Sequence, residues 1–282
     1  MNYETIGIVG AGQMGTGIAQ VCAAAGLTVV LSDVDESALE RGRERLSAGY
    51  DSLVSKQKMT AGDVAEAMAR VKATSHSAAL GTCDVVIEAA TENVGIKHQI
   101  LRELDRIAKP GAIIATNTSS VSITRLAATL ADPSRFVGMH FFNPVPAMAL
   151  VEVIRGMQTS DATFETTVAL AERLGKSAIQ VKNAPGFVVN RILVPMINEA
   201  VFALQEGLAS ADEIDAGMRL GARHPMGPLA LADLIGLDTV LAIMEVIQRE
   251  MGDTKYRPAS LLKEMVDAGY LGRKTKRGFY SY

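Results

Sequence analysis

The chain has 282 residues, 48% of them apolar and 21% charged, and 28 basic against 31 acidic side chains give a net charge of −3. At roughly 150 residues per domain the length suggests about two domains. The composition excludes a disordered or collagen-like chain, and the near-balanced charge gives no reason to expect nucleic acid or an anionic membrane as partner. The two cysteines, Cys22 and Cys83, do not make a disulfide framework and point to a reducing compartment, with a single bridge between them left open. No apolar run reaches the roughly 18 residues that a membrane span needs. The N-terminus lacks the order of a signal peptide, so the expected location is cytoplasmic.

In chain order, Thr5–Val9 is a short β-branched run that reads as a strand. The segment Gly10-Ala11-Gly12-Gln13-Met14-Gly15 follows, and Ile18, Ala19, Val21, Cys22 and Ala25 then recur at helical spacing until Gly26. A second strand at 28–31 stops at Ser32-Asp33. Residues 36–56 read as an amphipathic helix, and Thr60 with Asp63 opens another with a capping-box pattern. Residues 85–89, Ile113–Thr116, 136–140 and 151–154 read as buried strands, with a helix at about 93–108 between the first two. A helix at 160–174 and a strand at 178–181 complete the series. Strands alternating with helices imply an α/β fold with an open, mostly parallel sheet covered on both faces.

The character changes at Asn183-Ala184-Pro185-Gly186. Beyond it lie helical periods and caps, including a capping box at Ser210 and Glu213, and no convincing strand before the last few residues. The expected organisation is an α/β domain over 1–184 and a smaller all-helical domain over 185–282. Pro195 is expected to kink or shift the long helix that begins near 187.

The glycine pattern lies between a strand and a helix, the setting in which it binds a dinucleotide. Gly10 permits the tight turn, Gly12 lets the backbone approach a pyrophosphate, and Gly15 lets helix and strand pack closely. The helix start presents N–H groups and a partial positive charge to the phosphates. Asp33, 18 residues past Gly15, is placed to accept hydrogen bonds from the ribose hydroxyls. With no arginine beside it in sequence, it disfavours a 2′-phosphate, so the expected cofactor is NAD rather than NADP. No metal is expected.

Three later segments are more specific: Asn117-Thr118-Ser119-Ser120, His140-Phe141-Phe142-Asn143-Pro144, and Pro185-Gly186-Phe187-Val188-Val189-Asn190-Arg191. With Glu88-Ala89-Ala90-Thr91-Glu92-Asn93 and Leu271-Gly272-Arg273-Lys274-Thr275, they stand in the order found in the short-chain L-3-hydroxyacyl-CoA dehydrogenases. The chain resembles that family from Ile6 to Tyr280, and within it the bacterial 3-hydroxybutyryl-CoA dehydrogenases. The resemblance implies reversible hydride transfer between C3 of a short 3-hydroxyacyl-CoA thioester and the nicotinamide, as in (S)-3-hydroxybutyryl-CoA to acetoacetyl-CoA.

That reaction needs a group that exchanges a proton near neutral pH, and histidine is the usual choice. Of the four histidines, His140 ends a buried strand, whereas His76 lies in a polar loop, His98 on a charged helix expected to be solvated, and His224 in a glycine-rich loop. Glu152 stands in the next apolar run, where a charged residue needs a partner. The resemblance assigns it to orienting His140. It also gives Ser119 and Asn190 the role of holding the substrate's oxygens, from one domain each, so that the active site is expected in a cleft between the domains. Gly10, Ala11, Gly12, Gln13, Met14, Gly15, Asp33, Glu92, Lys97, Asn117, Ser119, Asn143 and Lys274 are expected to line the NAD site. Lys56 is the expected contact for the coenzyme A phosphates, with Lys58 beside it. Lys276 stands where relatives typically carry glycine, which puts the reach of Lys274 in doubt.

Two other readings keep the scaffold: an NAD-dependent dehydrogenase of a free hydroxy acid, and a non-catalytic, crystallin-like cofactor-binding protein. The set Ser119, His140, Glu152 and Asn190 argues against the second. Residues 185–207 and 228–247 are more apolar than one exposed helix requires, which points to a homodimer.

Overall fold

The computed structural model describes residues 3–282. The chain divides between Asn183 and Ala184 into two compact units.

The first unit opens with strand β1 (Thr5–Val9), helix α1 (Gln13–Ala24) and strand β2 (Thr28–Ser32), as the glycine pattern predicts. Helix α2 (Glu36–Ser55) starts on Asp35, whose side chain accepts from the Ser37 amide. Helix α3 (Ala61–Ala69) has the expected reciprocal Thr60–Asp63 capping box. Strand β3 (Val71–Thr74) and a 3-10 turn at Ser77–Thr82 precede strand β4 (Val85–Glu88), helix α4 (Val94–Ile107) and strand β5 (Ile113–Thr116). The short helix α5 (Ile123–Ala127) leads to strands β6 (Phe136–Phe141) and β7 (Leu150–Arg155), then helix α6 (Asp161–Arg173) and strand β8 (Ser177–Lys182).

These form one eight-stranded sheet in the order β3-β2-β1-β4-β5-β6-β7-β8. Every neighbouring pair is parallel except β6 with β7. That exception follows from chain length: the connection over 142–149 is too short for the crossover that a parallel partner requires. Strand order reverses between β1 and β4, and in open α/β sheets the crevice outside the strands' carboxyl ends at that point takes the ligand. The core on one side of the sheet joins Ile6, Ile8, Val29 and Ile87 to Ile18, Cys22 and Leu46, all essentially inaccessible.

The second unit comprises helices α7 (Val189–Gln205), α8 (Ala211–Gly221), α9 (Pro228–Ile235), α10 (Leu237–Met251) and α11 (Ser260–Asp267). The predicted capping box at Ser210 and Glu213 opens α8. Helix α7 runs through Pro195 as one element. Strand structure near the C-terminus is limited to isolated bridges pairing Gly272 with Arg277 and Arg277 with Ser281. Much of the apolar surface that suggested a second copy packs within the unit, where Val194, Ile197, Leu229, Ala232, Val240 and Met244 share one core. Among the described residues no helix is long and apolar enough to cross a membrane.

Candidate functional site

The glycine-rich turn is built as close approach demands. Gly10 has a φ of +104°, and a Cβ there would lie 2.7 Å from the Ala89 carbonyl oxygen. A Cβ on Gly15 would fall 1.8 Å from the Gly10 oxygen, so α1 can lie against β1 only with glycine there. A Cβ on Gly12 would meet nothing within 4 Å, which is the open face a pyrophosphate needs. The α1 cap is Gly12 with no side chain bonded to it, leaving the first-turn amides directed outward for an anion.

Asp33 ends β2 with both oxygens engaged by backbone: Oδ2 accepts from Ala11 N at 2.7 Å and Oδ1 from Asp35 N at 3.0 Å. A carboxylate has about four acceptor positions, so capacity for ribose hydroxyls is left over. A cleft of about 510 Å³ runs from Gly10 and Asp33 past Val34 to Ile96, Ile100 and Glu103 on α4. Its size, its acidic end and the open Gly12 face fit NAD. The arginine-free neighbourhood expected of Asp33 does not extend to three dimensions. From α2, Arg45 donates to the Ala11 oxygen at 3.1 Å, while Arg41 is held by Ser37 Oγ at 2.8 Å and Asp35 at 3.4 Å.

His140 and Glu152 are register partners on the antiparallel pair β6 and β7, so their side chains leave the sheet on the same face, opposite one another. His140 Nδ1 lies 2.7 Å from Glu152 Oε2, with both residues buried. The carboxylate accepts only if Nδ1 carries the proton, which makes Nε2 the ring atom turned away from Glu152 and suited to exchange one. Asn117 Oδ1 accepts from Phe141 N at 2.9 Å, tying the turn after β5 to the end of the His140 strand. Gln13 Nε2 donates to Asn143 Oδ1 at 2.9 Å, joining the start of α1 to the segment after His140. Lys176 is buried, and its ammonium donates to the carbonyls of Val145 at 2.6 Å and Met148 at 2.8 Å, holding that segment from beneath.

Ser119 faces Glu92, whose Oε1 accepts from its amide at 2.7 Å and from its hydroxyl at 3.1 Å. Glu92 Oε2 accepts from Thr118 Oγ1 at 2.6 Å. Ser119 is therefore no helix cap; Ser122 caps α5 instead. Lys97 is not a solvated helix charge. It is fully buried, with Nζ 2.6 Å from Glu88 Oε2 and 4.0 Å from Glu92 Oε2. Glu88, absent from the expected residues, is the centre of that cluster, and a charge standing inside a buried strand was the available signal. His98 is half-buried, with Nδ1 2.5 Å from Thr129 Oγ1, rather than solvated.

Lys56 caps the C-terminus of α2 and is exposed, as is Lys58. In the second unit, Asn190 lies in the first turn of α7 and is half-buried, and Lys274 is ion-paired to both carboxylate oxygens of Asp238. Burial pushes the Cys22 thiol up to about 12 and the Cys83 thiol up to about 11, and both cysteines are free, so neither is a nucleophile at neutral pH nor half of a bridge.

A family model described as "3-hydroxyacyl-CoA dehydrogenase, NAD binding domain" matches residues 5–184, and one described as "3-hydroxyacyl-CoA dehydrogenase, C-terminal domain" matches residues 186–282. The chain is 51% identical over 279 residues to a 3-hydroxybutyryl-CoA dehydrogenase of Bradyrhizobium diazoefficiens, covering 99% of this chain and 95% of that one. It is 49% identical to one from Clostridioides difficile, covering 98% and 99% respectively. The crystal structure of (S)-3-hydroxybutyryl-CoA dehydrogenase PaaH1 from Ralstonia eutropha superposes with a TM-score of 0.97 at 58% identity, covering 100% of this chain and 99% of that one.

Proposed function

The chain belongs to the 3-hydroxyacyl-CoA dehydrogenase family, and from that premise we propose that it catalyses the reversible NAD-dependent oxidation of (S)-3-hydroxybutyryl-CoA to acetoacetyl-CoA. The observation that carries this reading is the buried His140–Glu152 pair at 2.7 Å, tied through Asn117 and Asn143 to the segments that hold the dinucleotide. NAD bound at the glycine turn supplies the hydride acceptor for C3. His140 takes the proton of the C3 hydroxyl on Nε2 as the C3–O bond gains double-bond character, and returns it in the reverse direction. Glu152 keeps the ring oriented and stabilises the imidazolium between those events, as the carboxylate of a catalytic triad does.

Ser119 and Asn190 are proposed to hold the substrate's C3 and thioester oxygens. In the structure described here the Ser119 hydroxyl donates to Glu92, so it is set to accept from the alcohol, and turning from Glu92 makes it a donor to the ketone. Ala11, Gln13 and Met14 with the three glycines, Asp33, Glu92, Asn117, Asn143 and Lys274 are proposed for the cofactor. Lys56 is proposed for the phosphates of coenzyme A, as a point charge. A homodimer and a cytoplasmic location complete the reading. Ile192 on α7 and Leu234 on α9 remain 66% and 48% exposed and are candidates for the dimer surface.

The test follows NADH absorbance with acetoacetyl-CoA, comparing wild type with His140→Ala and repeating with NADPH. Rapid NADH oxidation that collapses in the variant and is weak with NADPH is expected. No turnover with either cofactor, despite NADH binding, would sink the acyl-CoA assignment and favour the free hydroxy acid.

A further inference from the structure

We propose that Glu88 is a positioning residue for Ser119, acting by keeping the Lys97 ammonium away from Glu92. Glu88 ends β4 with no accessible surface and gathers three donors from three parts of the fold. Its Oε2 accepts from Lys97 Nζ of α4 at 2.6 Å and from Thr116 Oγ1 of β5 at 2.7 Å, and its Oε1 accepts from the Ala90 amide at 3.0 Å. Among the described residues, the ion pairs of Lys97 are with Glu88 and, at 4.0 Å, with Glu92. The ammonium thus lies between two carboxylates and is committed to the buried one.

Glu92 is thereby left to Ser119 and Thr118, whose three hydrogen bonds fix the turn after β5. Lys97 is buried while the Glu92 side chain is half exposed, so an ammonium that loses its buried carboxylate is drawn toward the next one, at the solvent edge. Closing the 4.0 Å separation to hydrogen-bond distance takes Glu92 off the Ser119 amide, which sits only 2.7 Å from the other oxygen. The charge on Glu88, rather than its shape, is what keeps Ser119 in place. The inference rests on the dehydrogenase reading only in giving Ser119 contact with substrate.

Glu88→Gln keeps the shape and removes the charge. In the protein without ligands, amide hydrogen exchange over residues 118–120 is expected to accelerate at least tenfold, while exchange in β1 stays unchanged. In the acetoacetyl-CoA assay kcat falls tenfold or more. Glu88→Gln combined with Lys97→Met removes the stranded ammonium, and replacing a whole buried pair by neutral groups is tolerated far better than breaking it. Exchange over 118–120 then returns to within threefold of wild type, and this arm stands even where the single variant does not fold. Unchanged exchange in the single variant, or fast exchange in the double variant, overturns the proposal. A wild type that fails to reduce acetoacetyl-CoA sinks the proposed function, while the exchange arms still decide the role of Glu88.

Discussion

Each unit of the chain buries two acids, and the two units answer them differently. In the first, Glu88 and Glu152 meet side chains that carry a transferable or movable charge, Lys97 and His140. In the second, Asp215 accepts from the amides of Leu229 and Ala230 and the Tyr280 hydroxyl. Asp233 there accepts from the amides of Phe279 and Tyr280 and the Tyr282 hydroxyl. The chain passes so near that a Cβ on Gly227 would lie 2.1 Å from Asp215 Cγ, and one on Gly278 1.9 Å from Asp233 Oδ1. An acid met by backbone amides is fixed in place and acts as a strut. An acid met by imidazole or ammonium is coupled to a charge that chemistry can use. Burial alone does not separate the two; the partner does.

The comparison predicts opposite outcomes for substitutions of similar size. Glu152→Gln leaves the imidazole without a carboxylate, and kcat is expected to fall by roughly 10²–10⁴-fold with little change in melting temperature. Asp233→Ala strands two amides and a hydroxyl at the C-terminal segment and is expected to cost about 2–3 kcal/mol of stability. Turnover per folded molecule should stay near wild type. Denaturant unfolding beside steady-state kinetics on both variants checks the contrast, and a large kcat loss in Asp233→Ala would erase it.

Lys176 sharpens the distinction, because it is a strut of the opposite sign inside the first unit. Its ammonium donates to the carbonyls of Val145 and Met148, and burial pushes its pKa below the usual 10.5. Between the lowered folded pKa and 10.5, the unfolded chain holds more protons than the folded one, so this group's contribution to stability grows with pH. Lys176→Met is expected to cost about 1 kcal/mol near neutral pH, by the loss of two buried hydrogen bonds. The gap from wild type should widen as pH is raised toward 10.5. Urea melts of both proteins across that range measure it, and a gap that narrows contradicts the sign.

Most of the first unit was legible because long apolar runs and glycine turns announce its central strands and helices. Strand β3 was not: four residues, Val71 to Thr74, follow directly on α3 and pair only with β2 at the sheet's edge, so neither length nor alternation marks them. Helix α5 is five residues long, because Thr129 N and Leu130 N bond to the carbonyls three residues back, Leu126 and Ala127, and tighten the chain into a turn. That Glu152 needs a partner is legible from a charged residue standing in an apolar run, and the family resemblance implies that the partner is His140. Glu88 carries the same signal within 85–89, but its partner Lys97 is expected at the NAD site, and nothing in the sequence joins the two. Burial of a lysine depends on which way its helix faces, and α4 mixes charged and apolar residues closely enough to hide that. Lys56 and Lys274 were placed by resemblance alone, and local physics says only that the first is exposed and the second paired.

The smallest expected effect separates strain from function in the second unit. Lys276 sits at φ +58°, ψ +13°, closing the 3-10 turn Arg273–Thr275 in the left-handed conformation that glycine adopts freely. For an L-residue that region costs about 1–2 kcal/mol, and a glycine returns part of it through the greater freedom of the unfolded chain. Lys276→Gly is therefore expected to raise stability by about 0.5 kcal/mol on balance. The bond from the Tyr282 amide to the Lys276 carbonyl is made by backbone, and so is indifferent to the change. The Lys274–Asp238 ion pair lies on the near side of the turn and does not use the Lys276 side chain. NADH affinity should then stay within experimental error while the melting temperature rises slightly. A change in NADH affinity without a change in stability would mean that the Lys276 charge, and not the turn it strains, is what the cofactor site feels.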